Sequence, residues 1–356
     1  MTSGIPVRES TGCRTARIVR TLHTGSSGAT VRIYRQPNGE LRAVKSAANP
    51  RVPARAQAAA RETILPFLAG RLPEVLFAGS IRGIDTLVTR CPSPTTLADS
   101  VIRCGTDGPA PAVWQDFVTT LCRVWELSGQ PGFDPELATR KHALRWQRGT
   151  AGLHHTLQAH GLEVPLRGHV YVNGCDYGSL GRLLQRLAHI PAPQVHVACQ
   201  GDPQPRNILL DAAGGWHLVD WEWAGLHQDW RMMISHLIGW WYVEDLLTTA
   251  CGEAHASRTA LSLSYPPPQA TLSHAWSAPV VHAFSRMTTP LHRALDLTAL
   301  ARHIAMLLLR EIPRSLSTGR HHLLAPLLGE AVRLTDATHP LLEPISPQQQ
   351  RPGASA

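Results

Sequence analysis

The chain has 356 residues, 34 basic and 26 acidic side chains and a formal charge of +8. Hydrophobic residues make up 43% and charged residues 17%, a globular composition that argues against a disordered chain, a coiled coil and a multispan membrane protein. This length predicts two lobes or two modest domains. Arg8, Arg14, Arg17 and Arg20 interrupt the start of the chain, so no signal peptide is expected. The seven cysteines never form C-x-x-C, which suits a reducing, cytoplasmic compartment better than a disulfide framework or a zinc site. The arginines are spread out rather than gathered into a stripe, so nucleic acid is not the expected partner.

Residues 1–15 read as a flexible arm. From 16 to 47, ARIVRTL, ATVRIYR and LRAVKSA form three strands of an antiparallel meander, separated by TGSSG and QPNGE turns. Arg51 to Leu68 reads as a helix. VLFAGSI and DTLVTRC are two further strands around an Arg82-Gly83 turn, and CPSPTT is a connector. Beyond it the chain turns helical, with expected helices at Trp114–Leu127, Pro135–Thr150, Tyr177–Leu187, Met232–Ala250 and Leu295–Arg310. QVHVACQGD breaks that pattern, followed by two short strands, RNILLD and WHLVDWEW, around Gly214-Gly215. SYPPPQAT is a surface loop, and 346–356 a disordered Pro/Gln-rich tail. The expected division is a sheet lobe over 16–92 and a helical lobe over 93–345.

The strongest chemical signal is GDPQPRNILLD followed by HLVDWEW. It sets Asp202, Asn207 and Asp220 around a hairpin. Phosphoryl transfer needs a carboxylate to receive the proton of an attacking hydroxyl. It also needs an amide oxygen and a second carboxylate to hold magnesium. A hairpin between Asn207 and Asp220 brings those two oxygen ligands together.

This stretch resembles the aminoglycoside phosphotransferase and choline kinase family, which has a protein-kinase-like fold. That family usually reads H-G-D-x-x-x-x-N and I-D-W-E where this chain has Gln200-Gly201-Asp202 through Asn207 and Val219-Asp220-Trp221-Glu222. The resemblance implies an α+β, bilobal fold: an N-lobe of antiparallel sheet plus helix, and a mostly helical C-lobe. It implies ATP and Mg2+ as cofactors, Asp202 as catalytic base, Asn207 and Asp220 as magnesium ligands, and Glu222 as a helper at the metal. The N-terminal half has matching parts in matching order. The turn Gly25-Ser26-Ser27-Gly28 lets backbone N–H groups approach phosphate. Lys45 in R-A-V-K-S serves phosphate, and Glu62 on the following helix holds that lysine. Only two lysines, Lys45 and Lys141, occur in the whole chain. Backbone groups near Val88 to Arg90 stand where the family's hinge meets the adenine edge.

The chain also departs from the family. Gln200 replaces the usual histidine at a generally structural position. Arg206 stands where glycine is common; it is expected to face water, the alternative being reach to the transferring phosphate or an acidic substrate. Asp229 keeps the first acid of a following G-D-P-x-x-D pattern, whereas Met233 occupies the second. Trp221, Trp223, Trp230, Trp240 and Trp241 are expected to pack in the core rather than stack on a substrate.

The implied activity is ATP-dependent transfer of a phosphoryl group to a hydroxyl of a small molecule, such as an antibiotic or a biosynthetic intermediate. From 221 to 356 ten acidic residues face ten arginines, which is no acidic trough for a polyamine such as an aminoglycoside. An alternative acceptor is Ser/Thr of a ribosomally made precursor peptide, whose dehydration needs a lyase partner. A pseudokinase scaffold is a further alternative. No membrane association is expected.

Overall fold

The computed structural model describes residues 16–22, 29–105, 107–131, 147, 150–191, 193–269, 271–287, 296–335 and 339–345. The expected arm and tail, the Gly25-Ser26-Ser27-Gly28 turn and most of the helix expected at 135–150 lie outside them.

The N-terminal part is an antiparallel sheet. Strands β1 (Arg17–Leu22), β2 (Thr30–Arg35), β3 (Leu41–Ala47), β4 (Val75–Ile81) and β5 (Ile84–Arg90) assemble in the order β1-β2-β3-β5-β4. Arg82 and Gly83 both take positive φ, 52° and 79°, the conformation a two-residue turn between twisted strands needs. Helix α1 (Ala54–Ile64) crosses between β3 and β4. Its buried residues, Ala54, Gln57, Arg61 and Ile64, repeat at helical spacing. The expected helix over 51–68 is therefore shorter at both ends, because Pro53 precedes its first turn.

The remainder is mostly helical. Helices α2 (Leu97–Cys104) and α3 (Ala110–Ser128) follow the connector. Thr96 opens α2 with a reciprocal cap to Asp99. Asp99 also takes Arg20 Nη1 at 2.6 Å, which ties β1 to the helical side. The Tyr177–Leu187 expectation needs correction. Residues 175–179 are strand β8 (Cys175–Ser179), hairpinned to β7 (His169–Val172), and α4 (Leu180–Ala188) begins only after Ser179 caps it. Asn173-Gly174 makes that turn, with φ of 49° and 83°, an Asn-Gly signal.

Strands β6 (Gln130–Pro131), β9 (Val195–Cys199) and β12 (Gly225–Asp229) form a small sheet, and β10 (Ile208–Leu210) pairs with β11 (Trp216–Leu218). Helix α5 (Trp230–Thr249) is followed by the hairpin β13 (Glu253–Ala256) and β14 (Ala260–Ser264), which sequence reading passes over. β14 then pairs in parallel with β7. Helices α6 (Thr271–Ser285), α7 (Leu297–Ser317) and α8 (Leu324–Arg333) complete the core. Helix α7 runs past the expected end at Arg310 and carries Pro313 within it. Among the described residues, no helix is long and apolar enough to cross a membrane.

The core centres on α3, α5 and α6. Trp114 meets Trp241 edge-on with ring centroids 5.6 Å apart, and Trp241 stacks on Trp276 at 4.8 Å. Trp221, Trp230, Trp240 and Trp241 are buried, as expected, whereas Trp223 is half-buried with Arg51 above its ring.

A second constraint lies at the C-terminal end of the core. Glu330 on α8 is fully buried. It accepts hydrogen bonds from Tyr242, from Tyr265 at 2.7 Å and from Arg333 at 2.7 Å, and His339 Nε2 lies 2.7 Å away. Burial alone would raise its pKa, but the contacts with His339 and Tyr242 outweigh it and lower the carboxyl from 4.5 to about 2. A lowered folded-state pKa contributes stability above the unfolded value, lost as pH falls through the folded one. The shift corresponds to about 3 kcal/mol. Unfolding free energy should therefore fall between about pH 5 and pH 2. Glu330→Gln should lose much of its deficit relative to wild type on going from pH 7 to pH 3 in denaturant titrations. An equal deficit at both values would refute the assignment.

Candidate active site

The site lies where the sheet meets the helical part. Lys45, from the middle of β3, points its ammonium across the junction. Its Nζ lies 2.7 Å from Asp220 Oδ1, 2.6 Å from Glu222 Oε1 and 3.2 Å from Gln57 Oε1. Burial works against the charged ammonium, and the carboxylates of Asp220 and Glu222 outweigh it, so the Lys45 pKa is raised. On the other side of the pair, burial pushes the Asp220 carboxyl up, Lys45 opposes that shift, and repulsion from Glu222 and Asp202 adds to it. Burial is thus the main cause of the shift, and Lys45 is the cation that opposes it.

The expected partner on α1 is corrected. Glu62 does not reach Lys45; its carboxylate pairs with Arg61 at 2.5 Å and faces solvent. Gln57 lies on the buried face of α1, one turn before Arg61, and takes the place predicted for Glu62. Arg61 itself donates to the carbonyls of Pro73 and Leu72 and lies over Trp221.

The loop after β9 is built from Gln200. Its amide nitrogen donates to the carbonyls of Val219 at 2.6 Å and Asp220 at 2.5 Å, and its oxygen accepts Asp202 N–H at 2.8 Å. One fully buried side chain therefore clasps the two acid-bearing segments together. Gly201 holds φ +93° with Trp223 O only 2.3 Å from where a Cβ would lie, so both conformation and space require glycine. Asp220 also sits at positive φ, 62°, a region that aspartate tolerates better than most residues.

Asn207 ends a short 3-10 turn (Pro205–Asn207). Its amide nitrogen donates to Asp202 O at 2.9 Å, and its carbonyl accepts Val219 N–H at 2.9 Å. The β10–β11 register, Ile208 opposite Leu218, sets Asn207 beside the strand that leads into Asp220. The donor set suits magnesium: a carboxylate and an amide oxygen are hard ligands. Among the described residues, no group of three or more His, Cys, Asp or Glu side chains forms a metal cage. Glu222, expected to help at the metal, is turned onto Lys45.

Two features escape sequence reading. His236 Nδ1, buried on α5, lies 2.6 Å from Asp202 Oδ1, while Gln204 donates to Oδ2 at 3.0 Å. Arg206 is exposed, as expected, and its guanidinium also pairs with Glu244 at 2.8 Å and lies over the Trp240 ring. His236, Trp240 and Glu244 are spaced i, i+4, i+8 on α5, one stripe facing the loop. That spacing is a signal in the sequence. Asp229 caps α5 and binds Arg231 and His303. Burial would raise its pKa, and His303 and Arg231 hold it well below the carboxylate range.

The residues of the expected hinge lie on β5, between β3 and β4. Val88 is flanked on both sides, by Val44 of β3 and Phe77 of β4. Arg90 N–H is donated to Glu74 O at 2.9 Å. A small pocket beside Lys45 is lined by Ala29, Ala47, Val52, Gln57, Leu87 and Glu222.

No protein-family model and no curated protein matches the sequence. Solved structures do. The chain is similar to an aminoglycoside-3'-phosphotransferase of type VIII, at 17% identity over 82% of this chain and 92% of that one, with a TM-score of 0.45. It is similar to a Plasmodium vivax ethanolamine kinase, at 10% identity over 92% and 82%, with a TM-score of 0.48. It is also similar to an aminoglycoside phosphotransferase from Streptomyces rimosus in complex with ADP and streptomycin, at 17% identity over 80% and 94%, with a TM-score of 0.43.

The clasp makes a specific prediction. Gln200→Ala strands two carbonyls and one N–H and should cost about 1–3 kcal/mol in denaturant unfolding. An unchanged midpoint would show that the clasp contributes nothing.

Proposed function

We propose that the chain is an ATP-dependent O-phosphotransferase acting on a hydroxyl of a small molecule. The observation that carries this reading is the convergence of Lys45 with Asp220, next to the Asp202–Asn207 loop. These groups come from two distant parts of the chain, and together they meet the charge requirements of phosphoryl transfer. Lys45 places a compact positive charge for the nucleotide phosphates. Asn207 and Asp220 would hold magnesium, which would offset the charge of the phosphates. Asp202 orients the substrate hydroxyl. As the new oxygen–phosphorus bond forms and the bond to the ADP oxygen breaks, the hydroxyl proton passes to Asp202. Positioning and electrostatics supply most of the rate.

The charge balance beyond residue 220 supports a neutral or anionic acceptor, such as a nucleoside-type antibiotic or a biosynthetic intermediate, over a polyamine. Arg206 adds to this: it spends the Glu244 carboxylate beside the loop on an internal ion pair. The cysteine pattern supports action in the cytoplasm.

Incubation with γ-labelled ATP, magnesium and an extract of the native host should place label in a small-molecule fraction. Label in peptides would overturn the acceptor class, and no label above the Asp202→Ala control would overturn the activity. Asp202→Ala and Asp220→Ala should each lower turnover by roughly 10²-fold or more. Near-full activity in either would refute its role.

A further inference from the structure

We propose that Glu222 is the permanent anchor of Lys45, doing the work expected of a carboxylate on α1, and that this frees Asp220 to exchange cations. Glu62 is turned away to Arg61 with a side chain 60% exposed. Helix α1 offers Lys45 only the neutral Gln57 amide at 3.2 Å, itself fixed by donation to Val52 O at 2.8 Å. The charge partners both come from the strand end beyond β11, and they differ in setting. Glu222 is 6% exposed, whereas Asp220 is 39% exposed.

That difference assigns the roles. A buried carboxylate is costly without a fixed counter-charge, and Lys45 at 2.6 Å is the cation that Glu222 is seen to hold. Asp220 has its carboxyl packed beside Lys45, but its side chain keeps an open face that Glu222 lacks, so a second cation can reach it and replace the lysine without stranding it. An ammonium has three donors, and Gln57, Asp220 and Glu222 take one each. When Asp220 turns to magnesium, Glu222 and Gln57 still hold the Lys45 head in place. One N–H is then released toward phosphate. Glu222 is thus a positioning residue. The magnesium step rests on the function proposed above, whereas the anchoring does not.

The test uses the full chain and its small lysine content. Only Lys45 and Lys141 exist, so acylation by acetic anhydride can be followed at each by mass spectrometry. Lys45 should be protected in the wild type. Glu222→Gln should raise its acylation by about tenfold, and Asp220→Asn by clearly less. Adding Gln57→Glu to Glu222→Gln should restore protection and also MgATP affinity, because it returns a carboxylate to Lys45 from the α1 side. A metal-ligand role for Glu222 predicts no such rescue. Absence of rescue, or equal deprotection by Asp220→Asn, would overturn the anchor. If Glu222→Gln does not fold, a stability cycle decides. The Lys45→Met, Glu222→Leu double variant should exceed Lys45→Met alone in stability, since the single change strands a buried carboxylate; a less stable double variant would refute the pairing. Lys45 protection that follows Glu222 in a protein that binds no MgATP would uphold the anchor and refute only the proposed function.

Discussion

A single ammonium holds the two halves of the site in register. Lys45 is separated from Asp220 and Glu222 by 175 and 177 residues of chain, yet its Nζ touches both. Charges buried at a junction are costly unless they meet, so the sheet and the strand end beyond β11 are aligned wherever that contact forms. A small apolar seam runs alongside: Ile33 and Cys91 pack with Leu209, flanked by Leu41, Ala43 and Val219. The seam is non-directional and supplies proximity. The ion contacts supply orientation.

The helical side answers with a rigid support. Helix α5 carries His236 against Asp202 and Glu244 against Arg206, and it carries Tyr242 to the buried Glu330. Its first turn is pinned by Asp229, Arg231 and His303. One helix therefore connects the loop that bears the proposed base to a fully buried carboxylate of the core. Side chains held at both ends keep little rotamer freedom, and that preorganisation is what electrostatic catalysis requires.

Much of this was legible in the sequence, for identifiable reasons. The meander over 16–47 was readable because its strands alternate and its turns carry Gly, Pro and Asn. The Asp202, Asn207 and Asp220 grouping was readable because a hairpin is a local device whose spacing survives in the chain. Glu62 failed because helix register decides which of two residues five apart meets a partner. Burial at Gln57 and Arg61 turned Glu62 outward. That Val88 and Arg90 lie on an inner strand was not legible, because the β4–β5 and β3–β5 pairings are visible only in the assembled sheet. The β13–β14 hairpin was missed because its strands are short. Their main stabilising neighbour is β7, about ninety residues away in the chain. Arg206 does face solvent, and only its pairing with Glu244 beside Trp240 went unread, because those partners come from α5, about forty residues on.

The clasp made by Gln200 has a consequence of its own. An imidazole holding the same carbonyls would change its donor pattern near neutrality as it gained or lost charge. A carboxamide has no such transition, and its two donors and one acceptor are the same in acid and in mild alkali. The spacing between the Asp202 loop and the Asp220 strand is therefore built on an element inert to acidity. Acid–base behaviour at this centre is left to the groups that face the substrate, while the frame that spaces them does not titrate.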